Sequence, residues 1–130
     1  MEKKTVMIVD DSRTIAWILR ETLESLGYRV RCAYNGEDAL ELIDTQRPDL
    51  VILDVMLPHM DGLEVLTRIK GSPETYSIPV IMLTANGNSE DVLTGYRLGA
   101  DYYIIKPFKQ SELIYGIQLV LGREKQPTAA

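Results

Sequence analysis

The sequence predicts an α/β fold in which helices cover both faces of a single parallel β-sheet. Short apolar runs, mostly β-branched or aromatic, alternate five times along the 130-residue chain with longer amphipathic stretches. Most of these runs are continuously apolar rather than alternating, which is typical of strands that are covered on both faces. Right-handed crossovers then wind the helices onto both faces, giving a doubly wound (βα) arrangement of five units. In such sheets, ligands bind at the carboxyl ends of the strands.

Five strands are predicted from the apolar runs, most of which are bounded by turn residues. Their predicted ranges are Thr5–Val9, Tyr28–Ala33, Leu50–Leu53, Pro79–Leu83 and Tyr102–Ile105.

The first three helices are predicted from helical spacing and from capping residues. The first covers about Arg13–Leu26 and ends at Gly27, and its apolar side contains Ile15, Ile18, Leu19, Thr22, Leu23 and Leu26. Asn35 is the predicted N-cap of the second helix, which ends before Pro48. Asp61 and Glu64 have the spacing of a capping box before the third helix, which Gly71 ends.

The last two helices complete the pattern. The fourth is predicted from Asn88 or Ser89 to Gly99, and the fifth from about Gln110 to Leu121. The stretch from Gly122 to Ala130 is polar and has no periodicity. We therefore expect one domain over residues 1–122, with 123–130 as a disordered tail or the start of a linker.

Composition argues against several classes of function. The formal net charge of −5 disfavours nucleic-acid binding by this chain, because phosphate binding needs a basic patch. No apolar run approaches the ~20 residues that span a bilayer, so no membrane segment is expected, and no signal peptide is visible. Cys32 is the single cysteine. We predict that it is a buried, reduced thiol, which suits a cytoplasmic location.

Polar residues of a particular kind follow four of the five predicted strands. Asp10 and Asp11 follow the first, Asp54 the third, Thr84 the fourth and Lys106 the fifth. One polar residue at a strand end is usually a cap or a solubilising charge. Together, these residues would bring three carboxylates, a hydroxyl and an ammonium to one edge of a parallel sheet.

This combination favours phosphoryl chemistry with a divalent cation. Three neighbouring carboxylates repel one another, and Mg²⁺ is a cation that prefers oxygen ligands and is usually held by carboxylates and phosphate oxygens. Asp54 is the candidate nucleophile, since aspartate forms acyl phosphates in other proteins. Lys106 and the Thr84 hydroxyl could then stabilise the phosphoryl oxygens.

The motifs around these residues resemble the receiver domains of two-component response regulators. The resemblance covers about Lys4 to Leu121 and rests on four segments: VMIVDDS, LVILDVMLPHMDGLEVL, PVIMLTA and GADYYIIKPF. It implies a flavodoxin-like fold with strand order 2-1-3-4-5. It also implies a cis peptide bond between Lys106 and Pro107.

The resemblance also implies a role for each site residue. Asp54 would be phosphorylated by a histidine kinase or a histidine phosphotransfer protein. The metal ligands would be Asp10, Asp11, Asp54 and the backbone carbonyl of Met56. Lys106 would pair with the phosphoryl group, while Thr84 would follow that group and draw the switch residue Tyr103 inward. The domain would act as a signalling switch rather than an enzyme, catalysing only its own phosphorylation and dephosphorylation.

Two surfaces are implied for partners. The phosphodonor protein would dock around the first helix and the fifth βα loop, on Ile15, Ile18, Pro107 and Phe108. The surface formed by helix four, strand five and helix five would contact an output domain or a second copy of the chain. Tyr96, Tyr103 and Tyr115 would border this face, and tyrosine is enriched at interfaces.

Four further side chains bear on these expectations, those of Met56, Asn86, His59 and Trp17. The resemblance implies that the residues two beyond Asp54 and Thr84, here Met56 and Asn86, modulate attack of water on the acyl phosphate. Met56 offers no side-chain hydrogen bond to that water, so we expect slow self-dephosphorylation. His59 is expected to be an exposed loop residue, because a single histidine lacks partners for a metal site. Trp17 is expected on the polar side of the first helix.

Two other kinds of function remain as alternatives. The first is an interaction module on the same fold that works without phosphorylation, which the intact acidic edge disfavours. The second is an enzyme, such as an aspartate-dependent phosphatase or a flavin protein. A phosphatase would need a general acid two residues beyond its nucleophile, but Ser12 follows Asp10 and Met56 follows Asp54 at that distance.

Overall fold

A computed structural model of the chain describes residues 3–85 and 89–125. Strands and helices alternate as predicted, in the order β1 (Thr5–Val9), α1 (Arg13–Ser25), β2 (Arg29–Ala33), α2 (Gly36–Gln46), β3 (Leu50–Asp54), α3 (Gly62–Lys70), β4 (Val80–Thr84), α4 (Ser89–Arg97), β5 (Tyr102–Ile105) and α5 (Gln110–Lys125). All paired strands are parallel, and the sheet order is β2-β1-β3-β4-β5. The doubly wound, flavodoxin-like α/β fold is therefore confirmed.

The sheet lies between two layers of helices, each with its own apolar core. On one face, residues of α1 and α5 such as Leu19 and Ile117 pack on the sheet. On the other face, residues of α2 and α3 such as Ile43 and Leu66 do so. Every residue of β3 and β4 is buried, whereas the edge strands β2 and β5 are only partly covered. The continuous apolar runs thus belong to the central strands, as parallel packing requires.

Helix caps fix the loops that carry the site. Ser12 accepts a hydrogen bond from the Ile15 amide at the start of α1. The predicted caps Asn35 and Asp61 are confirmed, since each accepts a hydrogen bond from an amide three residues ahead. These caps start each helix just after the carboxyl end of a strand, and the candidate residues lie there.

Three predictions about helices were wrong in detail. Ile18 and Leu26 are 46% and 45% exposed, because Ala16 joins Leu19 and Leu23 on the narrow buried stripe of α1. Helix α4 ends at Arg97 rather than at Gly99, and Gly99 has a positive φ of 111° that no helix accommodates.

The end of α5 was also predicted incorrectly. The helix continues to Lys125, so residues 122–125 are helical rather than disordered. Arginine, glutamate and lysine, which follow Gly122, are good helix formers and offer no stop signal. Residues 126–130 of the predicted tail lie outside the described residues, and the domain boundary at 122 stays a prediction.

Cys32 is half-buried rather than buried. It belongs to the edge strand β2, which has a neighbouring strand on one side only. Burial raises the pKa of its thiol, which keeps the reactive thiolate scarce. Across the described ranges, none of the helices combines the length and the apolarity needed to cross a bilayer.

Candidate functional site

Three carboxylates meet at the carboxyl ends of β1 and β3. Parallel pairing places Val9 beside Leu53, so the next residues, Asp10 and Asp54, lie side by side. One oxygen from each of Asp10, Asp11 and Asp54 lies within 4.8 Å of the others. Asp10 is 0% and Asp54 4% exposed, whereas Asp11 faces solvent.

A single ammonium group bridges the two buried carboxylates. Lys106 follows β5, and its Nζ lies 3.0 Å from Asp10 Oδ2 and 3.2 Å from Asp54 Oδ2. The lysine side chain is itself only 19% exposed. The predicted convergence of Lys106 with the acidic residues is therefore present in the structure.

Backbone amides hold the other oxygen of each buried carboxylate. The amide of Ser12 donates to Asp10 Oδ1 over 2.9 Å, and the amide of Met56 donates to Asp54 Oδ1 over 3.1 Å. Each carboxylate is thus oriented by the loop that follows it and by Lys106. The part played by Ser12 was missed from the sequence, although its capping position after the acidic pair was a usable signal.

The charges in this site are not balanced. Burial and the neighbouring charge of Asp10 raise the pKa of Asp54, although the Met56 amide and Lys106 act in the opposite direction. Burial alone would lower the pKa of Lys106, but its hydrogen bonds and charge interactions with Asp10 and Asp54 outweigh this and raise it. The site therefore favours any additional cation that reaches it.

The donor set fits Mg²⁺. Three carboxylates offer hard oxygen ligands at one point, and Asp11 leaves the cluster open to solvent, so that a bound ion could keep part of its water shell. Met56 is held beside Asp54 by its amide, which also places its backbone carbonyl, the predicted fourth protein ligand, in the loop next to the cluster.

The loop after Asp54 packs tightly against the start of α3. A Cβ atom on Gly62 would overlap the carbonyl oxygen of Asp54. Only glycine allows this approach, and the Gly62 amide donates to Val55 O over 2.8 Å. In the same loop, Met56 is 72% exposed, and His59 is exposed as predicted, with a positive φ of 68°.

The predicted switch residues lie on neighbouring strands. Thr84 is buried at the end of β4, and its carbonyl accepts a hydrogen bond from the Lys106 amide over 2.7 Å. Tyr103 of β5 packs against Tyr96 of α4, with ring centroids 5.2 Å apart. Asn86 lies outside the described residues. The joint role of Thr84 and Tyr103 stays a prediction.

The predicted docking residues differ in accessibility. Ile18 and Pro107 are exposed, whereas Ile15 and Phe108 are half-buried against the core shared by α1 and α5. Trp17 is 61% exposed, as expected. The peptide bond between Lys106 and Pro107 is cis, which confirms that expectation.

One contact near the site had no signal in the sequence. The guanidinium of Arg13, at the start of α1, lies 4.0 Å from the centroid of the Tyr34 ring, just after β2. This is a cation–π contact between the start of α1 and the loop after β2, and it depends on the sheet bringing β1 and β2 together.

Comparisons with known proteins agree on one family. Residues 6–118 match the model of the response regulator receiver domain. A response regulator from Chloroflexus aurantiacus is 40% identical, with a TM-score of 0.90 over 94% of this chain and 100% of that one. The chemotaxis protein CheY4 of Vibrio cholerae is 32% identical, with a TM-score of 0.87 over 92% and 99%.

A third solved structure bears on the metal. It is the receiver domain of a sensor histidine kinase from Pseudomonas aeruginosa, with a magnesium ion coordinated in its active-site cleft. It is 30% identical to this chain, with a TM-score of 0.85 over 93% of this chain and 99% of that one.

Proposed function

The chain belongs to the family of response regulator receiver domains, which are signalling modules of two-component systems. We propose, on this premise, that Asp54 is its phosphorylation site. The donor is a phosphohistidine of a histidine kinase or a histidine phosphotransfer protein. An oxygen of Asp54 forms a bond to phosphorus as the phosphorus–nitrogen bond of the donor breaks, and the imidazole leaves. The observation that carries this proposal is the cluster of three carboxylates bridged by Lys106.

Mg²⁺ is the proposed cofactor. Its ligands are Asp10, Asp11, Asp54 and the Met56 carbonyl, together with phosphoryl oxygens. When bound, it neutralises negative charge that builds up on the phosphoryl group. The magnesium ion in the Pseudomonas receiver domain and the oxygen donors of this cluster both support this assignment.

Lys106 and Thr84 are the proposed residues that stabilise the transferred group. The Lys106 ammonium, which now bridges Asp10 and Asp54, pairs with a phosphoryl oxygen. The Thr84 hydroxyl donates a hydrogen bond to another phosphoryl oxygen. Fixed charges and donors of this kind act strongly beside carboxylates as buried as Asp10 and Asp54.

Phosphorylation is proposed to alter the surface formed by α4, β5 and α5. Thr84 moves toward the phosphoryl group, and this movement changes the position of Tyr103. The charge added at Asp54 thus shifts the equilibrium between two positions of the Tyr103 side chain. This surface exposes several large apolar side chains suited to an output domain or a second copy of the chain: Leu93, Tyr96, Ile105, Tyr115 and Leu119.

Docking of the phosphodonor protein is proposed on Ile15, Ile18, Pro107 and Phe108. An Ile15→Asp variant should accept phosphoryl groups more slowly from a phosphorylated histidine kinase that labels the wild type. Its labelling by acetyl phosphate, which needs no docking surface, should be unchanged. Equal losses with both donors would refute the docking role.

The cytoplasmic location and the lack of direct nucleic-acid binding stay predictions.

Labelling with radioactive acetyl phosphate tests the phosphorylation site. The wild type should incorporate label in the presence of Mg²⁺, and Asp54→Asn should incorporate none. Asp61→Asn is the matched control, because Asp61 is an exposed helix cap and asparagine caps equally well. Undiminished labelling of Asp54→Asn, or an unlabelled wild type, would contradict the proposal and favour an interaction module that works without phosphorylation.

A further inference from the structure

The edge strand β5 carries two consecutive tyrosines that face opposite sides of the sheet. Tyr102 packs with the core under α1 and α5, and Tyr103 with the core on the other face. Each ring lies against a glycine of a flanking helix, Gly116 of α5 and Gly95 of α4 respectively. The two contacts differ in closeness, and only the one at Gly95 involves a predicted switch residue.

The Tyr103 ring occupies the space that a side chain at position 95 would fill. A Cβ on Gly95 would overlap the hydroxyl oxygen of Tyr103 and would lie 2.8 Å from its Cε1. Real Cβ atoms do not approach other atoms this closely, so the ring can take this position only opposite glycine. At Gly116, a Cβ would lie 2.9 Å from Cε2 of Tyr102, a milder conflict.

Gly95 is an unfavourable residue for its own helix. It is buried within the nine-residue α4, and glycine is, after proline, the poorest residue for a helix interior. An alanine would favour the helix but would exclude the ring. The Tyr103 ring also packs against the ring of Tyr96, the next residue of α4, at an interplanar angle of 53°. Helix α4 therefore provides a slot, formed by the backbone of Gly95 and the ring of Tyr96, that fits Tyr103.

We propose that Gly95 is a positioning residue for the phosphorylation switch: the gap at Gly95 admits the Tyr103 ring in one of the two positions between which phosphorylation moves it. This inference rests on the proposed function, because it assigns a structural basis to one state of the Tyr103 switch. Any side chain at position 95 removes that state and leaves the ring in the other one.

The test is NMR of the tyrosine rings in ¹³C-tyrosine-labelled protein, with the Tyr103 signal assigned from a Tyr103→Phe variant. In the wild type, acetyl phosphate and Mg²⁺ should shift this signal. In Gly95→Ala, the signal should already be displaced without phosphodonor and should no longer shift when it is added. Asp54 labelling is measured in parallel. It distinguishes a variant that is not phosphorylated from a variant that is phosphorylated but whose Tyr103 ring does not move.

Two glycine variants of α5 serve as controls. Gly116→Ala should displace the signal of Tyr102 and preserve the phosphorylation shift of Tyr103. Gly122→Ala adds a Cβ with no atom within 4 Å, so it should leave both signals unchanged. A wild-type shift of Tyr103 in Gly95→Ala, or its loss in Gly116→Ala, would overturn the proposal, as would a wild-type ring that does not respond to phosphorylation.

A second comparison covers the case in which Gly95→Ala folds poorly. In a Tyr103→Ala background the slot is empty, so adding Gly95→Ala should raise the midpoint of thermal unfolding through the better helix former. A fall in the midpoint in this background would show that the conflict at position 95 is with something other than the Tyr103 ring, and would refute the inference.

Discussion

Lysine–aspartate clusters lie at both ends of the sheet, and they differ in how their charges are matched. At the amino ends, Lys70 Nζ donates to Tyr76 O over 3.0 Å and to Ile78 O over 2.7 Å, and it lies 3.4 Å from Asp101 Oδ2. The same carboxylate oxygen accepts the Val80 amide over 2.8 Å. One ammonium thus meets one carboxylate and two carbonyls, and the group connects α3 with the loops before β4 and β5.

At the carboxyl ends, Lys106 lies between two buried carboxylates, with Asp11 as a third nearby. One ammonium there faces more negative charge than it can neutralise, and the raised pKa of Asp54 reflects this excess. The comparison teaches that a lysine facing one carboxylate stabilises the fold, whereas a lysine facing several leaves excess negative charge that a bound cation can neutralise.

Removing the lysine of the unmatched cluster should have the largest effect on chemistry. Lys106→Met takes away the positive charge proposed to stabilise the phosphoryl oxygens, so the rate of labelling by acetyl phosphate should fall about 100- to 1000-fold. Lys70→Met should leave this rate unchanged. Equal rates in Lys106→Met and the wild type would contradict the proposed role of Lys106 in phosphoryl transfer.

Removing the lysine of the matched cluster should instead reduce stability. Lys70→Met leaves two backbone carbonyls and Asp101 without their cation, and we expect the free energy of unfolding to fall by about 2 kcal/mol. Urea denaturation measures this loss. An unchanged unfolding midpoint would mean that the cluster at the amino ends does not serve the fold.

Met56 is expected to affect how long a phosphoryl group remains on Asp54. Its exposed thioether offers no hydrogen bond to a water molecule attacking the acyl phosphate, so the phosphorylated wild type should persist for minutes or longer. Met56→Asn adds a side chain that can orient water, and we expect dephosphorylation to accelerate about tenfold, which corresponds to about 1.4 kcal/mol in the barrier. Loss of label over time measures it, and a wild-type lifetime of a few seconds would contradict this view.

The two clusters should also differ in how their carboxylates affect stability without metal. Because the fold raises the pKa of Asp54, ionisation of Asp54 is less favourable in the native state than in the unfolded chain, so it destabilises the native state as pH rises. Asp54→Asn should therefore be more stable than the wild type at neutral pH in the presence of a chelator. This gain should shrink as pH falls below the raised native-state pKa of Asp54 and vanish below its pKa in the unfolded chain. Asp101→Asn should be less stable than the wild type. Urea denaturation across pH measures the stability change in both variants. A destabilised Asp54→Asn would argue against excess negative charge in the cluster around Lys106.

Much of the site could be predicted from the sequence because strand ends in a parallel sheet converge. The apolar runs alone predict that Asp10, Asp54 and Lys106 lie at one edge. The sequence could not tell that Asp10 is buried and Asp11 exposed, since successive residues after a strand face different directions and no pattern says which faces inward.

Contacts between distant elements were the part that could not be predicted. The position of the Tyr103 ring opposite Gly95 depends on how closely α4 approaches β5, and a lone helical glycine carries no such information. The end of α5 was missed for a local reason: the residues after Gly122 are good helix formers, so polarity alone did not indicate where the helix stops.

Calorimetric titration with Mg²⁺ tests the central claim, that the unmatched cluster at the carboxyl ends is completed by a cation. The wild type and Asp101→Asn should bind Mg²⁺ with the same affinity and in a one-to-one ratio, while Asp10→Asn should bind it much more weakly. Undiminished binding in Asp10→Asn, or no saturable binding in the wild type, would contradict the account.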